Sequence, residues 1–167
     1  MTAITLNGSS MHTIGQLPPI GTKAPDFIVT KTDLSEIHLK HYLGKKIVLN
    51  IFPSLDTSTC ASAMLRFNAI AKQYPNLLIL CISADLPFAQ KRFCAAEHLE
   101  NVQPVSVFRH PAFGEHYGVT MIDGPLSGLL ARAVVILDES GNVIYTEQVA
   151  EMTHEPNYEE IMSIIQK

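Results

Sequence analysis

Two near-continuous apolar runs with a helical stretch between them constrain the fold of this chain more than any other feature. Lys46 to Phe52 reads KIVLNIF and Leu77 to Ser83 reads LLILCIS. Runs of this kind are strands covered on both faces, because a half-exposed strand would alternate apolar with polar. Pro53 stops the first run, and Pro75-Asn76 precedes the second. Between them, Ser58 to Tyr74 carries Cys60, Met64, Phe67, Ile70 or Ala71, and Tyr74 at helical spacing. A buried strand, a helix and a second buried strand imply a parallel pair joined by a right-handed crossover.

The pattern continues along the chain. Pro87 to Glu97 reads as a helix with proline in its first turn. Val105 to Phe108 is a short strand, Pro111 to Tyr117 a helical turn, and Gly118 to Gly128 a glycine-rich connection. Ala133 to Leu137 and Val143 to Gln148 form a hairpin, and Tyr158 to Gln166 closes the chain as an amphipathic helix. Upstream, Phe27 to Thr30 is a short strand and His41 to Gly44 a brief helical turn. The first 14 residues read as a hairpin around Asn7-Gly8, the strongest two-residue hairpin signal. A Gly/Pro stretch, Gly15 to Pro25, follows as a surface loop. This order gives an α/β class fold: a thioredoxin-like three-layer sandwich with an added N-terminal β-hairpin. With 167 residues and 18.4 kDa the chain is expected to form a single domain, 1–167. A chain of this mass buries about 70% of its unfolded surface, enough for a core without metals or disulfides.

Charge and cysteine usage narrow the function. The net charge is −4 with no Lys/Arg block, a poor match to the phosphate backbone, so no nucleic-acid partner is expected. No apolar run approaches the length of a membrane span, and Met1 to Leu17 lacks the basic start of a signal peptide. The expected compartment is the cytoplasm, where thiols stay reduced. The three cysteines, Cys60, Cys81 and Cys94, are too few for a disulfide scaffold and lack C-x-x-C spacing.

The segment Phe52-Pro53-Ser54-Leu55-Asp56-Thr57-Ser58-Thr59-Cys60 leaves a buried strand at its carboxyl end and enters a helix. That edge is where open α/β sheets bind ligands. With Thr57 as N-cap, Cys60 is the third residue of the helix, and the Thr57 hydroxyl is expected to accept from the Cys60 amide. A sulfur there lies near unpaired amides and the positive helix end, which favour thiolate over thiol. Cys60 also lies on the apolar stripe with Met64 and Phe67, which suits a core residue equally well. Arg132, just ahead of Ala133 to Leu137, is either an exposed strand-end residue or the partner of an anion such as that thiolate. Cys94 is either a buried apolar-face residue or a second working thiol, and Cys81, mid-strand, reads as core.

Pro53, Thr57 and Cys60 match P-x-x-x-T-x-x-C, the peroxidatic signature of the peroxiredoxins. NIFPSLDTSTCA, the segment CISADLPFAQKRFC from Cys81 to Cys94, and the N-terminal hairpin resemble the bacterial thiol peroxidase subfamily, the atypical two-cysteine peroxiredoxins. The resemblance runs through essentially the whole chain. It implies that Cys60 is the peroxidatic nucleophile, that Thr57 hydrogen-bonds the peroxide, that Pro53 shields the pocket and that Arg132 stabilises the thiolate and polarises the peroxide. It further implies that Cys94 is the resolving cysteine of the same chain, forming an intrachain disulfide. Organic hydroperoxides and hydrogen peroxide are the implied substrates, thioredoxin the reductant, a homodimer the assembly, and antioxidant defence the role. No cofactor, metal, flavin or haem is required. The family commonly has glycines after the resolving cysteine, where this chain has Ala95-Ala96-Glu97-His98.

Three other readings use the same residues differently. A cysteine hydrolase needs a general base, and none of the seven histidines is singled out by a motif. A non-enzymatic thioredoxin-like binding module would not need Cys60. A metal site through His38-x-x-His41 lacks further ligands at a known spacing. Phe52, Leu55, Ile122 and Leu126 are candidates for an apolar rim around the pocket, and Phe88 and Phe93 for packing of the Cys94 helix.

Overall fold

Successive side chains of a strand point to opposite faces, so the two apolar runs supply two cores at once. In the computed structural model, which describes residues 1–167, β1 (Thr2–Leu6) and β2 (Ser9–Thr13) form an antiparallel hairpin apart from the main sheet. The main sheet comprises β3 (Ile28–Lys31), β4 (Glu36–His38), β5 (Lys46–Ile51), β6 (Leu77–Ser83), β7 (Gln103–Ser106), β8 (Ala133–Leu137) and β9 (Val143–Gln148). Its spatial order is β4-β3-β7-β6-β5-β8-β9. The helices are α1 (Ser58–Gln73), α2 (Pro87–Ala96), α3 (Ala112–His116) and α4 (Tyr158–Ile165), and a 3-10 turn spans Leu39–Tyr42.

β5, β6 and β7 are parallel neighbours, joined through α1 and α2, while β8 and β9 add the antiparallel half. Ile47, Leu49 and Ile51 face one core, with Phe27, Phe113 and Tyr117. The ring of Phe113 stacks on Tyr117 at 4.6 Å, and the Tyr117 hydroxyl donates to the Pro25 carbonyl at 2.7 Å, which holds the Gly15–Pro25 loop down. Val48 and Phe52 face the other core with Cys60, Met64 and Phe67 of α1 and Ile161 and Ile165 of α4. Phe93 and Cys94 of α2 pack against this second core. The expected thioredoxin-like layering with its N-terminal hairpin is therefore present.

Local chemistry explains the hairpin. Asn7 and Gly8 both take positive φ, 50° and 82°, as a two-residue turn of matching twist requires. Ile4 and Met11 bury against Met121, Ala131 and Met152, a gain of about 1.5–3 kcal/mol for each side chain. The Thr5 amide donates to the Ala150 carbonyl, and the Met152 amide donates to the Thr5 carbonyl, both at 2.8 Å. The connection from Gly118 to Gly128 also meets the hairpin: the Ile14 amide reaches the Thr120 carbonyl at 2.8 Å and the Ile122 amide reaches the His12 carbonyl at 3.0 Å.

Some boundaries differ from expectation. β4 is a three-residue polar edge strand with no apolar run to announce it. β7 starts two residues early, at Gln103, and includes Pro104. β3 pairs only with Val105 and Ser106, so a residue without an N–H sits where β7 has lost its second neighbour. Phe88 does not pack α2: it is 67% exposed, on the outer side of the first turn. Leu126 packs against the hairpin core and Ile122 is exposed, whereas Phe52 and Leu55 share the core of Cys60.

Candidate active site

β5 ends at Ile51, and the loop through buried Pro53 turns into α1 with Thr57 at the N-cap. Cys60 is the third residue of that helix and is fully buried. The expected cap bond is not formed. The Thr57 hydroxyl donates to the Ser54 carbonyl at 3.1 Å, and the Thr57 amide reaches the same carbonyl at 3.3 Å. This tight turn satisfies the hydroxyl locally and leaves the amides of Ser58, Thr59 and Cys60 without a partner in the chain. Three unpaired N–H groups therefore converge at the positive end of α1, next to the sulfur.

Arg132 supplies the opposite wall. It lies just ahead of β8, which pairs with β5, so the sheet register carries it to the Cys60 end of the central strand. Only 2% of it is exposed. Its Nη1 donates to Cys60 Sγ at 3.2 Å, while Nε and Nη2 donate to the Met152 carbonyl at 3.2 and 2.9 Å. No carboxylate pairs with this buried cation. A guanidinium without a carboxylate is costly to bury, and its remaining hydrogen-bond partners here are the Cys60 sulfur and the Met152 carbonyl. Met152 is fixed in turn by the hairpin at Thr5 and by Glu151. The Glu151 carboxylate accepts from the Thr153 amide, the Gly8 amide and the Thr5 hydroxyl at 2.8, 2.8 and 3.0 Å. These donors, the Thr153 amide foremost, hold its carboxyl down at about 2.

Burial favours the thiol form at Cys94 and Cys81. Cys94 lies half-buried on α2, and burial pushes its thiol up to about 11. Cys81 lies within β6, where burial pushes its thiol up to about 12; its Sγ accepts from Asn50 Nδ2 at 3.6 Å. All three cysteines are free thiols in this structure, and Cys60 and Cys94 sit on separate helices that share one core. No histidine hydrogen-bonds Cys60. The rings of His38 and His41 meet edge to face at 5.5 Å, and nowhere in the chain do three His, Cys, Asp or Glu groups gather as metal ligands.

The family model for Redoxin matches residues 19–162. A thiol peroxidase of Mycobacterium bovis is 50% identical over 165 residues, covering 99% of each chain. The chain belongs to the redoxin family, among the thiol peroxidases. Membership makes it an oxidoreductase of the peroxidase class. A peroxiredoxin-like protein of Aquifex aeolicus, 36% identical, superimposes with a TM-score of 0.93 over 99% of this thiol peroxidase and 96% of that chain. A thiol peroxidase of Chromobacterium violaceum, 23% identical, has the same fold, with a TM-score of 0.89 over 98% of this chain and 95% of that one.

Of the residues expected at the site, the fold of this thiol peroxidase brings Cys60 and Arg132 into contact. Pro53 and Thr57 stand in the loop that leads to Cys60, with the Thr57 hydroxyl oxygen still able to accept. Cys94 stays one helix away. Sequence reasoning missed three groups: the Met152 carbonyl, Glu151 and Asp85. Met152 offers a backbone atom, which carries no side-chain signature. Asp85 stands at the carboxyl end of a buried strand, and that position was the available signal. No helix is long and apolar enough to cross a membrane.

Proposed function

We propose that this thiol peroxidase, the whole chain 1–167, reduces organic hydroperoxides and hydrogen peroxide through Cys60, with Cys94 as resolving thiol and thioredoxin as reductant. The observation that carries the reading is the contact of Arg132 Nη1 with Cys60 Sγ at 3.2 Å, at the open amides of α1. A thiolate held there attacks the terminal oxygen of the peroxide. The S–O bond forms as the O–O bond breaks, and the leaving alkoxide takes a proton to become an alcohol. Negative charge moves from sulfur to the departing oxygen, so donors fixed on both sides lower the barrier. Arg132 and the first-turn amides are those donors; Thr57 orients the peroxide, and Pro53 keeps water out, which strengthens each interaction.

The product is a Cys60 sulfenic acid. The Cys94 sulfur then attacks the Cys60 sulfur, an S–S bond forms and water leaves. Burial holds Cys94 as a neutral thiol, and a disulfide needs Cα atoms within about 7 Å. Both facts support a cycle in which the Cys60 turn and α2 unwind locally before resolution. The thioredoxin dithiol then reduces the bridge by exchange and is itself oxidised. Family membership supports a homodimer working in the cytoplasm in antioxidant defence.

The test is a coupled assay with thioredoxin, thioredoxin reductase, NADPH and cumene hydroperoxide. Cys60→Ser abolishes NADPH loss. Cys94→Ser completes one turnover to the sulfenic acid and then stops. Undiminished turnover by Cys60→Ser overturns the reading.

A further inference from the structure

Asp85 lies in the turn between β6 and α2, where one of its carboxylate oxygens accepts the Ser54 hydroxyl at 2.8 Å. The other accepts the Leu55 amide at 2.9 Å and the Ser83 hydroxyl at 2.7 Å. Ser83 Oγ accepts in turn from Nε2 of Gln90 at 3.3 Å, and the same Nε2 donates to the Val105 carbonyl at 2.8 Å. Gln90 is fully buried on α2, one turn ahead of Cys94. The Asp85 carbonyl is itself held by the Ser106 hydroxyl at 2.6 Å. A continuous hydrogen-bonded chain thus runs from the helix of Cys94 to the loop that positions Cys60, with one carboxylate at its centre.

We propose that Asp85 is a positioning residue that latches the two cysteine segments closed and thereby sets the fate of the Cys60 sulfenic acid. This rests on the roles proposed for Cys60 and Cys94. Hydrogen bonds to a carboxylate are the stronger class, and here three converge on one group. In the closed arrangement the sulfenic acid stays beside the donors that activated the first peroxide. A second hydroperoxide can then oxidise it: the sulfenate sulfur takes the terminal oxygen to give a sulfinic acid, and the alcohol departs. In the opened arrangement Cys94 reaches it, the S–S bond forms and water leaves. The two outcomes compete, and the latch weights the first. Releasing one end of the chain also loosens the other, because Ser83 is shared between Asp85 and Gln90.

The experiment compares wild type, Asp85→Asn and Ser54→Ala, all checked as folded by near-UV circular dichroism. Reduced protein is mixed with graded excesses of cumene hydroperoxide, and mass spectrometry reads Cys60 sulfinic acid against Cys60–Cys94 disulfide. An amide in place of the carboxylate meets these donors with a single acceptor oxygen. Asp85→Asn lowers the sulfinic fraction at least threefold at equal peroxide and slows the first oxidation of Cys60 several-fold. Ser54→Ala, which removes one bond of the set, moves both readouts in the same direction by less, and it carries the test if Asp85→Asn does not fold. Hydrogen exchange rises in both 54–60 and 88–94. A sulfinic fraction equal to wild type in the folded variants overturns the latch. If wild type forms no Cys60–Cys94 disulfide, the resolving role fails instead, and the exchange data decide the latch alone: a rise in both segments upholds it, and no rise overturns it.

Discussion

Arg132 and Cys60, 72 residues apart in sequence, meet at 3.2 Å between guanidinium and sulfur, and the remaining donors of the same guanidinium grip one backbone carbonyl. The arginine is therefore aimed as well as charged. Lysine would supply the charge without the planar fork that holds Met152 and Cys60 together. Arg132→Ala is expected to slow the first oxidation of Cys60 by about a hundred- to a thousandfold in stopped flow. Arg132→Lys recovers little of that loss; full recovery would mean that charge alone matters.

Glu151 ties the hairpin to the segment that holds Arg132. Its folded carboxyl titrates near 2, below the ordinary 4.5, because the Thr153 and Gly8 amides favour the charged form. The unfolded chain therefore takes up the proton first as pH falls. The stabilisation is fully present above about pH 4.5 and is lost progressively toward pH 2. Melting curves at pH 7, 4 and 2.5 should show wild type losing the advantage it holds over Glu151→Gln. A constant difference across that range would exclude Glu151 as the source.

The end of α2 carries a second marker. His98 adopts φ of +55°, the left-handed conformation that glycine usually takes after a helix. The Leu99 amide closes onto the Cys94 carbonyl at 2.9 Å, and the His98 amide onto Ala95 at 3.4 Å. His98→Gly relieves about 1 kcal/mol of backbone strain. The melting temperature should rise by about 2–4 °C. Disulfide formation after a peroxide burst should slow up to about fivefold, because opening must break a firmer cap.

Gly118, with φ of +69°, packs closely against the backbone of Gln16. A Cβ there would overlap the backbone carbonyl of Gln16. Gly118→Ala is expected to cost about 2–4 kcal/mol, from left-handed backbone plus overlap. Calorimetry should show the loss, while the rate of Cys60 oxidation at 25 °C stays at the wild-type value.

Much of this was legible in the residues. KIVLNIF and LLILCIS announce buried parallel strands because both of their faces are apolar, and the Pro53-to-Cys60 stretch announces a sulfur in the first turn of a helix. Arg132 was visible as a cation entering an apolar run. What stayed hidden depends on three-dimensional closure. The Thr57 hydroxyl had two acceptors or donors within reach, and the Ser54 turn decided between them. β4 is short, polar and held by its neighbour β3. The carbonyl of Met152 and the carboxylate of Asp85 matter only because distant segments converge on them.

Cys81 has a consequence of its own. Sealed mid-sheet with its thiol pushed up to about 12, it is out of reach of reagents while the sheet is intact. In a variant lacking the other two sulfurs it becomes an internal clock: alkylation of this single site counts only excursions that open the central strands. The chain thus carries, in the core that Cys60 shares, a gauge of its own global unfolding.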